Sequence, residues 1–194
     1  MKLPTFITRR DVLAVFAMVF TADIVTGIVS PTFSLYASSL GASVMLIGVL
    51  SAAVGLTRIL SSVPIGMVAD TIGRRNVLAV GMLLFCGMAL LYSLAPSPAL
   101  LFPARVLGGL AMGSTFFVGV AYLGDLVPSH ERGAAIGLYT TFMGLGFAVG
   151  PAIASAIVGA AGYRAAYQAA AGFAFVGFLL ARFGLTNRIP SRRR

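Results

Sequence analysis

The sequence predicts an all-α membrane protein, a bundle of six transmembrane helices joined by short loops. Its composition is the first reason. Of 194 residues, 59% are hydrophobic and only 10% are charged, whereas a soluble domain carries about 25% charged residues. So little polar surface cannot cover a water-soluble globule, and the same composition excludes a disordered chain. The second reason is that the apolar residues gather in runs near the roughly 20 residues that cross a bilayer as helix. A closed barrel would need alternating strands of about ten residues, and the sequence has none.

Taken in order, the expected spans cover residues 12–36, 43–69, 77–95, 99–126, 133–160 and 165–185. Breaker-rich connections separate them at 38–42, 71–76, 96–98, 127–132 and 161–164. The first run is too long for a cleavable signal peptide and leads straight into further spans. Cys86 lies in an apolar stretch and, as the one cysteine, forms no intrachain disulfide.

The formal charge is +9. In a soluble protein that excess would suggest a nucleic-acid partner, but here the basic residues punctuate the apolar runs and no such partner is expected. Lys2, Arg9 and Arg10 precede the first span, Arg74 and Arg75 follow the second, and Arg132 follows the fourth. Arg188, Arg192, Arg193 and Arg194 follow the sixth. The opposite loops contain only Arg164. By the positive-inside rule the crowded side is cytoplasmic, with both termini inside. The chain is therefore expected in the plasma (inner) membrane, as a bundle over residues 1–186 with a basic tail over 187–194.

Three charged residues remain deep within the spans, away from their ends: Asp23, Arg58 and Arg105. Each costs a few kcal/mol or more at mid-bilayer unless paired or wetted, which makes each a functional candidate. Asp23 lies twelve residues beyond Asp11, and Arg58 twelve before Asp70. At about 1.5 Å per residue both sit roughly 18 Å deep on consecutive antiparallel helices, so the two are expected to face each other. They would form either a structural ion pair or a carboxylate that answers to a proton or a ligand as its cavity opens to either side. Arg105, twenty residues before Asp125, falls toward the outer half of the fourth span. It either snorkels to the outer headgroups or faces a water-filled cavity.

Glycines recur four apart at Gly109 and Gly113, at Gly133 and Gly137, and at Gly146 and Gly150. Small residues at this spacing let helix backbones approach closely. Pro151 directly after Gly150 removes a backbone donor and invites a bend, as do Pro31 and Pro64. The densest motif is Gly66-Met-Val-Ala-Asp70-Thr-Ile-Gly73-Arg74-Arg75. Gly66 suits close helix approach, Gly73 a tight turn, and Asp70 a pairing with Arg74. Topology alone explains the two arginines but not an aspartate and two glycines at fixed offsets around them.

This stretch resembles the signature loop of the major facilitator superfamily, Gly-x-x-x-Asp-Arg/Lys-x-Gly-Arg-Arg/Lys, and lies where that family places it. Thr71 stands where the family has a base. Arg105-Val-Leu-Gly108-Gly109 resembles the fourth-helix motif Arg-x-x-Gln-Gly, with Gly108 in place of Gln. Gly146-Phe-Ala-Val-Gly150-Pro151 resembles the fifth-helix motif of drug/proton antiporters, and Asp125…Pro128…Arg132-Gly133 resembles the connection before it. The resemblance implies the N-terminal six-helix half of that fold, built from two inverted three-helix repeats. It also implies a secondary transporter, with proton-coupled efflux as the leading expectation and an uptake symporter or a dimer of half-transporters as alternatives.

By residue, Asp70, Arg74 and Asp125 would latch the cytoplasmic side with Gly66, Gly73 and Arg75, and Arg105 would serve proton coupling. Gly146, Gly150 and Pro151 would form the bend linked to export. The implied partners are a small-molecule substrate, protons, the lipid bilayer and a C-terminal six-helix half, with no cofactor. Alternating access by rocking two bundles requires that second half. It would be supplied by the same full-length chain or by a second one, a choice that the coding DNA beyond Arg194 would settle.

Two other classes fare worse. An intramembrane hydrolase would use Ser114, but the one histidine, His130, lies in a connection, and no His/Asp/Glu cluster suits a metal. No phosphate-cradling Gly-x-x-x-x-Gly-Lys-Ser/Thr loop is present for ATP. A non-transporting scaffold would use the glycines for packing alone, and charge changes at Asp23 or Asp70 would leave it unaffected.

Overall fold

A computed structural model describes residues 10–186. The expectations for Lys2, Arg9 and the 187–194 tail fall outside them. The described chain is helical throughout, with five long apolar helical elements: α1 (Arg10–Ser39), α2 (Val44–Ile72), α3 (Arg74–Leu94), α4 (Pro98–Leu126) and α5 (Ser129–Gly184). Their lengths and apolar character fit a membrane-spanning bundle.

Local chemistry sets the boundaries. Gly41, at φ 87°, turns the chain out of α1. Ser43 then caps α2 by accepting a 3.2 Å hydrogen bond from the Leu46 N–H. The connection expected over residues 71–76 shrinks to one residue, Gly73, whose φ of 91° is open to glycine at little cost. Pro98 opens α4 through a single 3-10 turn.

Within α4, residues Gly113–Phe117 form a π turn. Such turns insert one residue into the helical ladder and recur at functional sites. Helix α5 leaves helical geometry at Gly162 (φ 81°, ψ 176°), which divides it into one arm over residues 132–161 and another over 163–184.

The two arms run in opposite directions along α1. In the first, Phe142 stacks on Phe16 at 5.2 Å, and Gly150 packs against Gly27. In the second, Tyr163 and Tyr167 lie against Tyr36, Gly177 against Thr21 and Gly184 against Ala14. Helix α1 is therefore the central post, with 83% of its most apolar 18-residue window buried; the corresponding figure for α2 is 6%. Most of the large side chains of α2 are exposed, among them Val44, Leu60 and Val63.

Glycines set two of the closest contacts. A Cβ on Gly150 would stand 2.5 Å from Gly27 Cα, and one on Gly109 would stand 2.7 Å from Val54 O on α2. Gly146 also packs closely, against Phe20 and Asp23, and Gly113 lies against Ser61 and Ile65, but three of the expected approaches are not made. A Cβ on Gly66, Gly133 or Gly137 would meet nothing within 4 Å. Helix α2 leans on α4 at Gly109 and Gly113, and beyond that point a cleft of about 170 Å³ opens beside Gly66, Asp70 and Arg74.

Candidate functional site

A cavity of about 440 Å³ lies between α1, α2, α3, α4 and the first arm of α5. Its walls carry all three intramembrane charges, Asp23, Arg58 and Arg105. Phe33, Phe147, Met88 and Met143 supply apolar surface, and Ser30, Ser34 and Ser51 supply hydroxyls.

Asp23 sits deepest, at 6% exposure. Its Oδ1 accepts a 2.9 Å hydrogen bond from the Thr26 hydroxyl one helical turn on. Its Oδ2 is buried and has no hydrogen-bond partner. The expected face-to-face pairing of Asp23 with Arg58 is not formed, because no ion pair within 4 Å joins Asp23 to any described residue. The depth estimate puts both residues on one cavity, but α2 packs on α4 rather than on α1, and cavity space separates the two side chains. Arg58 is exposed on the rim.

Arg105 faces this cavity. Its guanidinium carbon lies 3.2 Å over the Phe33 ring centroid, a cation–π contact on one face of the group. Its Nε is buried without a hydrogen-bond partner. A tyrosine cluster closes the wall behind it. Tyr92 and Tyr167 stack at 5.0 Å, the Thr32 and Tyr167 hydroxyls lie 3.2 Å apart, and Tyr36 donates to the Tyr92 carbonyl at 2.9 Å. The Tyr92 hydroxyl is fully buried and unpartnered.

A second charged site lies at the far end of α2 and contains its charges differently. Arg74, at 16% side-chain exposure, pairs with Asp125 at 2.7 Å and with Asp70 at 3.7 Å, and it also donates to the Ala121 carbonyl. Arg75 donates to the Arg182 carbonyl, and Thr186 donates to Asp11 at 2.5 Å. These contacts staple α2, α3, α4, the second arm of α5 and the start of α1 together. Thr71 bonds back to Val68 O of its own helix at 2.9 Å and takes no part in the staple.

Sequence reasoning missed Gly27, the tyrosine cluster, Phe33 and the π turn. Gly27 had a usable signal: it is the one glycine of α1, and the Gly146/Gly150 pair needs a small partner. Ser114 is buried in the π turn against Gly81, while His130 is exposed in the 3-10 turn that opens α5. Among the described residues, no group of three His, Cys, Asp or Glu side chains gathers as a metal site would require.

An apolar helical bundle whose core cavity carries charges of both signs belongs among polytopic integral membrane proteins. The family follows from comparison. Residues 15–194 match the Major Facilitator Superfamily, and the chain belongs to it. The chain is 25% identical to the quinolone resistance protein NorA of Staphylococcus aureus (strain N315) over 145 residues, covering 75% of this chain and 37% of NorA. It is 34% identical to the MFS-type transporter YfkF of Bacillus subtilis (strain 168) over 120 residues, covering 62% of this chain and 31% of that one. Its fold is similar to the crystal structure of the human organic anion transporter MFSD10 (TETRAN), with a TM-score of 0.76 and 19% identity. That alignment covers 92% of this chain and 48% of the other. The chain thus spans a third to a half of the length of these proteins.

Proposed function

We propose that the chain forms one six-span half of a secondary active transporter that exports a small amphipathic molecule in exchange for protons. One observation carries this reading: a buried carboxylate, Asp23, lines a cavity that it shares with two arginines, and one of its oxygens has no hydrogen-bond partner. A buried charge without a partner is costly, and a static bundle gains nothing by keeping one. A transporter does, because the group changes its proton occupancy as the cavity opens to each side.

In this reading the arms of α5 cross separately, which gives six spans. Pro64 and Pro151, both inside helices, are corresponding points of two inverted three-helix repeats. Both termini lie in the cytoplasm of a cell whose plasma membrane holds the protein. A second six-helix half, in the same chain or another, covers α2 and the open cavity, and the exposed apolar side chains of α2 support that. Alternating access then rocks the two halves about the cavity. The Arg74 staple holds one orientation, and the close packing of Gly150 on Gly27 and of Gly146 on Phe20 and Asp23 keeps α1 and α5 moving as a unit. The resistance named for NorA supports export as the direction.

The test is transport by the full-length protein in proteoliposomes under an imposed pH gradient. Gradient-driven dye movement is expected for the wild type and at least about 100-fold less for Asp23→Asn. Equal, gradient-dependent transport by Asp23→Asn would remove Asp23 from the mechanism.

A further inference from the structure

The chain has five acidic residues, and four of them lie away from the cavity. Asp70 and Asp125 are held by Arg74, Asp11 accepts from Thr186, and Glu131 belongs to the 3-10 turn that opens α5. Asp23 alone is left to balance Arg58 and Arg105, and it pairs with neither. The cavity wall therefore presents a carboxylate and two guanidiniums, set apart, each with hydrogen-bonding capacity unused.

Phe33 covers one face of the Arg105 guanidinium, so an anion meets that group edge-on, where its planar fork matches a carboxylate. Arg58 reaches the same space from α2. Asp23 lines the same space with one carboxylate oxygen unpartnered, and a carboxylate accepts from an ammonium. The rest of the wall is aromatic and thioether, suited to an apolar body.

Resting on the transport reading above, we infer that the substrate is an amphipathic zwitterion. Its anionic group lies between Arg58 and Arg105, its cationic centre on Asp23, and its apolar body against Phe147, Met88 and Met143. Charges of both signs on one wall are satisfied together by a ligand that carries both. The cationic centre and a proton compete for the same Asp23 oxygen, which accounts for exchange of one against the other.

Three dansyl compounds with one body test this: Nα-dansyl-lysine, with both charges; dansylcadaverine, which lacks only its carboxylate; and dansyl-norleucine, which lacks only its ammonium. Binding is read by dansyl emission with the full-length protein in nanodiscs, empty nanodiscs subtracted, and each variant is first checked for a wild-type melting temperature. Nα-dansyl-lysine is expected to bind at least about tenfold more tightly than either analogue, one charge-assisted contact being lost in each. Arg58→Gln should weaken Nα-dansyl-lysine and dansyl-norleucine and spare dansylcadaverine, with partial recovery in Arg58→Lys. Asp23→Asn should weaken Nα-dansyl-lysine and dansylcadaverine and spare dansyl-norleucine.

Equal binding of all three, binding of none, or dansylcadaverine binding as tightly as Nα-dansyl-lysine would overturn the inference. Proton-driven transport of any of the three without this pattern leaves the transport reading standing and the zwitterion inference refuted. The full binding pattern without transport does the reverse.

Discussion

The protein keeps its charges in two regions under opposite rules. Around Arg74, one guanidinium is shared among Asp125, Asp70 and the Ala121 carbonyl. In the cavity, Asp23, Arg58 and Arg105 share one space of about 440 Å³ and form no ion pair there, with Thr26 donating to Asp23 and Phe33 lying against Arg105. The first arrangement satisfies a charge locally and holds three helices. The second leaves charge unsatisfied where desolvation makes it most costly. In the function proposed above, paired charge is a structural device and unpaired charge is a place reserved for something that comes and goes.

Substitutions at the paired end should therefore register as stability. Arg74→Ala strips both carboxylates and a carbonyl of their donor. At 16% exposure of Arg74 and 39% of Asp125, a loss of roughly 1–2 kcal/mol is expected after allowing for screening by solvent, seen as a lower melting temperature in lipid. Asp125→Asn keeps a hydrogen-bond acceptor for Arg74 and removes only the charge, so at most about 1 kcal/mol should be lost, and less in high salt. The smallest effect belongs to Thr71→Arg. It places a base beside the exposed Asp70, whose side chain is 65% accessible, and should shift stability by no more than about 0.5 kcal/mol in either direction. A larger drop for Thr71→Arg than for Arg74→Ala would invert the ranking and deny Arg74 its role as the staple.

The same contrast marks what the sequence could reveal. Hydropathy located α1 to α4 within a few residues, because bilayer thickness fixes the length of an apolar run. The staple was legible because Asp70, Gly73 and Arg74 lie within one turn of chain, where spacing determines contact. The cavity was legible only in depth. Counting along the helices placed Asp23 and Arg58 at one level, but azimuth is not written in helices that are apolar on every face, so pairing could not be told from facing. The glycine pairs teach a related lesson. Gly146/Gly150 and Gly133/Gly137 have identical spacing, yet only the first meets a neighbour, because the partner surface on α1 is small at Gly27 and no helix lies against the second. The tyrosine cluster behind Arg105 draws on three helical elements far apart in sequence and had no local signal at all.

The separation of the cavity charges is open to a direct measurement: a double-mutant cycle of Asp23→Asn and Arg58→Gln, read by thermal or denaturant unfolding of the full-length protein in lipid. Two charges that share a cavity without touching should give additive effects, with a coupling below about 0.5 kcal/mol. Neither single variant should destabilise strongly, since each removes an unpaired charge. A coupling above about 1 kcal/mol, with each single variant costing the roughly 3–5 kcal/mol of a broken buried pair, would mean that Asp23 and Arg58 lock α1 to α2. The cavity would then hold a structural ion pair rather than a binding site.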